Sequence, residues 1–454
     1  MQRILCFLSL ALLLGTISAQ AQSKKIDFEE FDLPNGLHVI LYPDNSVPLV
    51  AVSVLYHVGA KDEKPGRSGF AHFFEHLMFE GSKNIERGEY SKIVERAGGS
   101  LNAYTTYDKT FYYDLLPSNQ LELGLWLESE RMLHAKVDDK GVETQREVVK
   151  EERRQRYDNS AYGLLLESVM ALAFKEHKYR ITPIGSMDDI NAAEESDYIE
   201  FYQTYYVPNN ATLVVSGDID TKQAKKLVTK YFSEIPKGKP INRDRVAEPE
   251  QTEEYRGEAF DPNIQLPAVA QAFKTPGIGK PDFYTVKMLM KVLSDGESSR
   301  LVRSLKDDKQ MVLYVGANSF ELEDDPSVSL AFGIAAGGIK LEDLEAAMNE
   351  EYQKLMDELI SEEEFEKLRN QVENDFYRSN ERVASIAGNL ADYHVFRGGA
   401  ANINKTLDEY RKVTREDIQA AAKKYLRKEN RSTLYYLPKP KEEAAPEASE
   451  DKGE

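Results

Sequence analysis

Apolar residues occur along this chain in short runs that alternate with segments of helical period, and the same succession appears twice. Each half opens with a run typical of a buried strand, at 49–56 in the first half and at 268–273 in the second. A helix, a long strand and another helix follow. These later strands and helices are predicted at 111–116 and 120–132, and at 328–334 and 341–359. The pattern predicts two domains built on one plan.

The closing segments of the two halves support this repeat. Residues 198–217 and 417–437 each combine a helical pattern, an Asn-containing turn and an apolar strand. Thr414 and Ser361 each stand three residues before an acidic side chain, the spacing of a helix N-cap. Strands mixed with helices in each half favour two α/β or α+β domains of about 200 residues each.

Polar, proline-bearing sequence marks the predicted domain limits. Residues 236–258 lack a hydrophobic period and are interpreted as a linker. Residues 438–454 have no apolar face and are interpreted as a disordered acidic tail. The predicted organisation is therefore an N-terminal domain at 22–235 and a homologous C-terminal domain at 259–437.

Residues 1–21 have the three parts of a secretory signal peptide: a basic start at Arg3, an apolar run at 4–14 and a small-x-small cleavage site at 19–21. The apolar run is shorter than the roughly 20 residues that a membrane span needs. Cys6, the single cysteine, lies inside this run, so the mature chain has no disulfide. We therefore expect a bacterial protein that is periplasmic or secreted, with no membrane span after signal cleavage.

Composition narrows the class of protein. Of 454 residues, 41% are hydrophobic, which allows a large core and excludes a disordered chain. The 77 acidic and 58 basic residues give a net charge of −19. Nucleic-acid binding requires a basic surface, so no nucleic-acid partner is expected. The acidic excess would instead favour cationic ligands.

The segment 68–82 contains the sequence His72-Phe-Phe-Glu75-His76. On a helix, two imidazoles four residues apart project from one face, and Glu75 lies beside them. This spacing lets two nitrogens hold one zinc ion while a carboxylate reaches the zinc-bound water. The alternative is a pair of histidines on a half-buried helix, satisfied by ordinary neighbours. The motif favours the zinc interpretation.

A catalytic zinc site needs a third protein ligand. Four glutamates lie on the helical stretch 140–157: Glu143, Glu147, Glu151 and Glu152. Three valines define its apolar side: Val142, Val148 and Val149. At 100° per residue, Glu152 falls within the valine arc, whereas Glu147 and Glu151 fall outside it. Glu152 is therefore the carboxylate predicted to turn inward, and the other glutamates are expected on a solvated helix surface.

Four segments together resemble the pitrilysin-type inverzincin metallopeptidases, in the branch of the mitochondrial processing peptidase and its bacterial relatives. They are residues 34–40, 68–82, 98–113 and 145–152. They occur in the order and spacing of that family, and the similarity extends from about residue 28 to residue 437. The resemblance implies an α+β fold of two homologous α/β-sandwich domains, each a mixed, mostly antiparallel sheet covered by helices. Such a chain forms one half of a clamshell.

The resemblance also implies a set of site residues. The zinc ligands would be His72, His76 and Glu152. Glu75 would be the general base, which takes a proton from the zinc-bound water and delivers it to the leaving amine. The substrate strand would comprise Asn102, Ala103 and Tyr104, which resemble the edge strand onto which an extended peptide adds by main-chain pairing.

The second half departs from the family pattern. The family supplies an Arg and a Tyr, seven residues apart, to the substrate carbonyl. Tyr314 matches the Tyr, but Asp307 stands seven residues before it and Lys306 eight before it. The family's auxiliary Glu is Gln145 here, which is neutral at every pH. Two interpretations follow: Lys306 replaces the Arg in a homodimer, or a related chain without the zinc motif supplies the missing group.

The expected function is that of an exported zinc-dependent endopeptidase acting on unfolded or short peptides. The alternative is a non-catalytic peptide-binding or assembly subunit, as in the core proteins of respiratory complexes, which belong to the same family. The presence of the complete set His72, Glu75, His76 and Glu152 favours the peptidase.

Overall fold

The computed structural model describes residues 25–243 and 245–440. The predicted signal peptide at 1–21 lies outside the described residues, as does all but the first three residues of the predicted tail at 438–454. Within the described residues, no helix is both long enough and apolar enough to cross a bilayer.

The described chain forms eleven strands and fourteen α-helices. The strands are β1 (Glu29–Asp32), β2 (His38–Pro43), β3 (Leu49–Tyr56), β4 (Ser100–Thr105), β5 (Thr110–Pro117), β6 (Ala211–Gly217), β7 (Tyr255–Asp261), β8 (Ala268–Thr275), β9 (Val312–Ser319), β10 (Ser327–Ala335) and β11 (Arg431–Pro438). The helices are α1 (Phe70–Leu77), α2 (Tyr90–Arg96), α3 (Leu121–His134), α4 (Asp139–Arg153), α5 (Leu165–Ala173), α6 (Met187–Ala192), α7 (Glu195–Tyr205), α8 (Thr221–Phe232), α9 (Phe283–Ser294), α10 (Leu341–Asp357), α11 (Glu362–Ser379), α12 (Val383–Phe396), α13 (Thr406–Lys412) and α14 (Arg415–Tyr425). Two π-helical turns, Arg154–Asp158 and Val302–Asp308, and several short 3₁₀ turns complete the chain.

The strands form two sheets that share a five-strand arrangement, to which the first sheet adds β1 at its edge. The first sheet has the order β1-β2-β6-β3-β5-β4, and the second has the order β7-β11-β8-β10-β9. In each, one parallel pair (β2 with β6, β7 with β11) is followed by antiparallel pairs only. The predicted fold class, two homologous domains with mixed, mostly antiparallel sheets, is therefore confirmed.

Strand position explains the hydrophobic pattern. The strands β3, β6 and β8 are central and lie between two layers, so seven or eight consecutive residues are buried or nearly so. The edge strand β4 alternates between exposed and partly buried side chains instead. The long apolar runs in the sequence therefore mark the middle of each sheet, while the edge strand β4 has a weaker pattern.

Each sheet is covered on one face by helices of its own half and on the other face by a helix of the other half. The helix α12 of the second half covers the first sheet, and its Ile386 and Leu390 pack in one cluster with Leu55 and Val214. The helix α5 of the first half covers the second sheet, where it packs in one cluster with the inner strands β8 and β11. The two predicted domains therefore pack through shared cores, because each sheet has two apolar faces and its own half covers only one of them.

The predicted linker is also too long at its C-terminal end. Tyr255 already belongs to β7, which pairs in parallel with β11 from the end of the described chain. A buried ionic cluster further joins the two halves: Lys61 Nζ lies 2.8 Å from Asp108 Oδ1 and 2.5 Å from Glu323 Oε2. Lys109 of the first half pairs with Asp392 of α12 in the same way. These contacts fix the two sheets relative to one another.

Candidate metal centre and active site

The helix α1 divides its side chains between the core and an open cavity. Phe73 and Phe74 are buried in the core of the first half, as the helical spacing predicts. His72 and His76 project from the opposite side and remain partly exposed. Their rings lie 4.9 Å apart between centroids, with planes inclined at 82°. Two nearly perpendicular imidazoles can direct their lone pairs to one point.

Two glycines and a buried carboxylate hold α1 in place. Gly69, with φ +88°, begins the helix, and a Cβ at Gly185 would lie 2.4 Å from the Gly69 nitrogen. The two backbones therefore touch, and this contact requires glycine. Glu63 accepts hydrogen bonds of 2.9 Å from the amides of both Gly69 and Ala71. A buried acceptor thus satisfies amides that the first turn of a helix leaves without partners.

Glu152, near the end of α4, faces the two histidines. Its Oε2 lies 3.2 Å from His76 Nε2 and 3.6 Å from His72 Nε2. The Glu152 side chain is 17% exposed, against 53% for Glu151. Sequence analysis assigned Val148 to the apolar side of this helix, and that assignment is wrong: Val148 is 45% exposed, whereas Val142 and Val149 are buried.

The three residues fit a zinc ion. Their potential ligand atoms all lie within 4.8 Å of one another. Ligand atoms around a tetrahedral zinc are separated by about 3.4 Å. This value lies between the distances from Glu152 Oε2 to His76 Nε2 (3.2 Å) and to His72 Nε2 (3.6 Å). Burial and the neighbouring His76 lower the pKa of His72 to about 4, so that its imidazole is neutral at pH 7, as metal ligation requires. A hydrogen bond from His76 lowers the pKa of Glu152 to about 2, which keeps this carboxyl ionised.

Glu75 lies beside this cluster and is held by the edge strand. Thr105 Oγ1, at the end of β4, donates a 2.6 Å hydrogen bond to Glu75 Oε2. Burial raises the pKa of Glu75, and the bond from Thr105 opposes that rise. A carboxylate with a raised pKa is a stronger base than an exposed one, which suits proton transfer near neutral pH.

The cluster opens into a cavity of about 430 Å³. The proposed substrate strand lines it, since Asn102, Ala103 and Tyr104 of β4 are among the lining residues. The strand β4 is the last strand of its sheet and pairs only with β5 among the described strands. One edge of its backbone therefore faces the cavity and can pair with an extended chain.

The remaining predicted residues lie elsewhere. Tyr314, on the edge strand β9, is 56% exposed, packs against Phe332 and does not line the cavity. Lys306 lies in a π-helical turn with its Nζ 3.6 Å from Glu297 Oε2, and it does not line the cavity either. Gln145 donates a 2.5 Å hydrogen bond to Glu80 instead of facing the cluster. A single chain therefore brings together the predicted metal ligands, Glu75 and the predicted substrate strand, but not the predicted second-half residues.

Sequence reasoning missed Arg156. This residue lies in the π-helical turn Arg154–Asp158 that continues α4, and its Nη1 is 2.7 Å from Glu152 Oε1. The signal was present in the sequence, because a residue four positions after Glu152 shares its side of a helix. Arg156 also lines the cavity.

A second group of possible ligands lies between the two halves, where Glu30 and His38 of the first sheet meet His394 of α12. The two rings stack in parallel, 3.5 Å apart between centroids with planes inclined at 5°. A metal ion lies close to the plane of each imidazole that binds it, so stacked rings cannot share one ion without turning. This geometry supports an aromatic contact and not a metal site.

The second half has a cavity of about 500 Å³ in the position equivalent to the metal cluster, between α9, β9 and α11. Here Lys287 and Lys291 are four residues apart on α9, as His72 and His76 are on α1. Lys291 Nζ pairs with Asp375 Oδ2 of α11 at 2.5 Å. Protonated lysines cannot ligate a cation, so these two positions differ in chemistry from His72 and His76.

Comparison with known families identifies the chain. The family model described as Insulinase (Peptidase family M16) matches residues 38–185, and the model described as Peptidase M16 inactive domain matches residues 195–372. The chain belongs to peptidase family M16, a family of zinc proteases.

Individual relatives support this assignment. The zinc protease PqqE of Helicobacter pylori is 31% identical over 440 residues, which cover 96% of this chain and 99% of the relative. The mitochondrial-processing peptidase subunit beta of Lentinula edodes is 25% identical over 407 residues, covering 87% of this chain and 86% of that subunit. The crystal structure of a protease from Helicobacter pylori superposes with a TM-score of 0.87 at 31% identity, covering 90% of this chain and 99% of that one. The periplasmic protease PqqL of Escherichia coli shares the fold, with a TM-score of 0.75 at 20% identity over 91% of this chain and 48% of PqqL.

Proposed function

We propose that this chain is an exported zinc-dependent endopeptidase that hydrolyses unfolded or short peptides. The observation that carries the proposal is the convergence of His72, His76 and Glu152, with Glu75 held beside them by Thr105. Three nitrogen and oxygen ligands with an adjacent carboxylate are the donor set of a catalytic zinc site. When bound, zinc supplies an acidified water and polarises the scissile carbonyl.

The chain's own residues perform the proton transfers. Glu75 accepts a proton at the carboxylate oxygens and returns it to the leaving amine. The hydroxyl of Thr105 fixes one of those oxygens, so the other is free to face the substrate. The free edge of β4 orients an extended peptide by main-chain hydrogen bonds, with the scissile bond near Thr105. Main-chain pairing needs an unfolded segment, which is why we propose unfolded or short peptides as substrates.

A second subunit completes the site in this proposal. Tyr314 and Lys306 are not among the residues that line the cavity of their own chain, and Tyr314 is strongly exposed. An exposed tyrosine on an edge strand is available to the cavity of another chain. That chain is either a second copy or a related subunit without the zinc motif. The periplasmic setting of the Escherichia coli relative PqqL supports export, as does the proposed signal peptide at 1–21.

Zinc content and peptide cleavage test the proposal together. The mature protein, purified without added metal, should contain about one zinc per chain and cleave unstructured peptides. Glu75→Gln should keep the zinc and lose cleavage, because it removes the base and leaves the three ligands in place. His72→Ala should lose both. A protein without stoichiometric zinc, or a Glu75→Gln variant that cleaves as fast as the parent, would refute the proposal. Zinc binding without cleavage by the parent, alone or with its partner, would point to the peptide-binding subunit instead.

A further inference from the structure

Arg156 is the permanently charged cation among the residues that line the metal-site cavity. It reaches the cavity because the π-helical turn Arg154–Asp158 continues α4 and carries Arg156 onto the side of Glu152. Its Nη1 lies 2.7 Å from Glu152 Oε1. The other oxygen of that carboxylate lies 3.2 Å from His76 Nε2. One carboxyl group therefore separates the guanidinium from the imidazole pair.

Most of the guanidinium is free. The Arg156 side chain is 74% exposed, and within the described residues its one ion-pair partner is Glu152. A guanidinium has five N–H donors in a planar fork, so donors beyond the one near Glu152 remain accessible at the cavity that Arg156 lines. Arg154, two residues earlier, pairs with Glu151 on the outer surface of the helix. The two arginines thus have the same chemistry but face different surroundings.

We propose that Arg156 makes the cleft selective for a carboxylate on the substrate, close to the scissile bond. This inference rests on the proposed peptidase function. Glu152 turns one oxygen toward the histidines, so part of its charge is engaged there, and the fork of Arg156 can bind a second carboxylate in the bidentate geometry that arginine favours.

The position of Arg156 limits where that carboxylate lies. An extended peptide advances about 3.3 Å per residue, so a guanidinium paired with the proposed ligand Glu152 meets substrate groups within about two residues of the scissile bond. The carboxylate is either an Asp or Glu side chain or the free C-terminus of a short peptide. The preference is opposite to the one that the net charge of −19 suggests. Local geometry prevails because charges beyond about 8 Å are largely screened at physiological ionic strength.

Peptide binding to the Glu75→Gln protein tests this inference without cleavage. Short fluorescein-labelled peptides would be compared by fluorescence anisotropy, identical except for one Asp, Asn or Lys near the centre, all with amidated C-termini. A further peptide would have Asn and a free C-terminal carboxylate. We expect the Asp peptide, the free-carboxylate peptide or both to bind about 10-fold more tightly than the amidated Asn peptide, the value of one charge-assisted hydrogen bond.

Substitutions at Arg156 then test whether this residue causes the preference for peptides with a carboxylate. In the Glu75→Gln background, Arg156→Gln should abolish the difference between the charged and neutral peptides, while the Asn peptide keeps its affinity. Arg156→Lys should retain part of the preference. Arg154→Gln is the matched control and should change nothing. Zinc content, measured in every variant, should stay at the parent's level.

Four results would overturn the inference. Equal binding of the charged and neutral peptides would overturn it alone, leaving the peptidase proposal intact. Equal weakening of all peptides by Arg156→Gln, or loss of zinc from that variant, would show that Arg156 only holds Glu152. Failure of every peptide to bind, with no cleavage by the parent protein, would overturn the proposed function and this inference together.

Discussion

The hydroxyl of Thr105 donates a 2.6 Å hydrogen bond to the carboxylate of Glu75 and so connects the end of the edge strand β4 to the helix that carries both histidines. This one contact therefore joins the strand that would bind a peptide to the carboxylate that would act as general base in its hydrolysis. This link gives Glu75 a fixed orientation before any substrate arrives. It also makes Thr105 a positioning residue whose removal can be measured.

Thr105→Val should lower kcat by about 10-fold, a fraction of the roughly 100- to 10,000-fold that a general base contributes. Loss of the bond should also raise the pKa of Glu75 further, because the bond stabilises the ionised form. Since the base acts when deprotonated, the acidic limb of kcat/KM should move to higher pH. Zinc content should stay the same, and Thr105→Ser should restore the parent profile. An unchanged pH profile in Thr105→Val would contradict this role.

Glu152→Gln should weaken zinc binding by about 10- to 1,000-fold, because a neutral amide replaces the one anionic ligand. Glu151→Gln is the matched control, since Glu151 is exposed and pairs with Arg154. Competition with a chromogenic chelator would measure both affinities. Weakened zinc binding in Glu151→Gln, with Glu152→Gln unaffected, would reverse the assignment of the third ligand.

Gly185→Ala should destabilise the protein and disturb the metal site. Its φ is +71°, and a Cβ there would collide with the backbone of Gly69 at the start of α1. Gly88 has the same φ, but a Cβ added there would have no atom within 4 Å. Gly88→Ala therefore measures the cost of backbone strain without a steric collision. Gly185→Ala should cost about 1–3 kcal/mol more than Gly88→Ala, the usual range for overpacking. Thermal unfolding and zinc affinity of both variants would check this, and equal melting temperatures would show that the backbone contact relaxes freely.

Mixing two inactive variants should reveal a shared site if the partner is a second copy. Glu75→Gln retains Tyr314, and Tyr314→Phe retains Glu75, so a mixed dimer would contain one complete site. Co-refolded or co-expressed variants should then recover about a quarter of the parent activity, given random symmetric pairing. Tyr314→Phe alone should lose about 10- to 1,000-fold in rate, the scale of one oxyanion donor.

No recovery on mixing, together with a fully active Tyr314→Phe protein, would exclude a homodimer completed by Tyr314. A different chain that copurifies from the native source and restores activity would then be the partner. A monomer that is fully active by light scattering and kinetics would refute the need for any second subunit.

Local patterns in the sequence predicted several elements in both halves of the chain. The strand predicted at 49–56 coincides with β3, since a central strand requires a continuous apolar run. The predicted caps are confirmed, because Thr414 accepts from the Asp417 amide and Ser361 from the Glu364 amide. The common face of His72 and His76 followed from helical spacing alone.

Long-range packing accounts for the features that sequence analysis missed. Val148 lies on the outside of α4 because the core touches a narrower arc than three valines suggested. The predicted linker at 236–258 included the first residues of β7. This strand is an edge strand, and its partner β11 lies at the far end of the described chain. No local signal indicates that α5 and α12 cover sheets of the opposite half.

The helices α5 and α12 each cover the sheet of the opposite half, and this exchange constrains the order in which the chain can fold during synthesis. Among the described residues, the face of the first sheet that contains Leu55 and Val214 is covered by α12 and by no helix from its own half, so it stays open to solvent while most of the second half is still being translated. The nascent first half thus exposes this apolar surface until Phe396 has left the ribosome, so it cannot reach its final packing before the second half has been made. The same exchange means that the two halves cannot be produced as separate soluble pieces without exposing both faces.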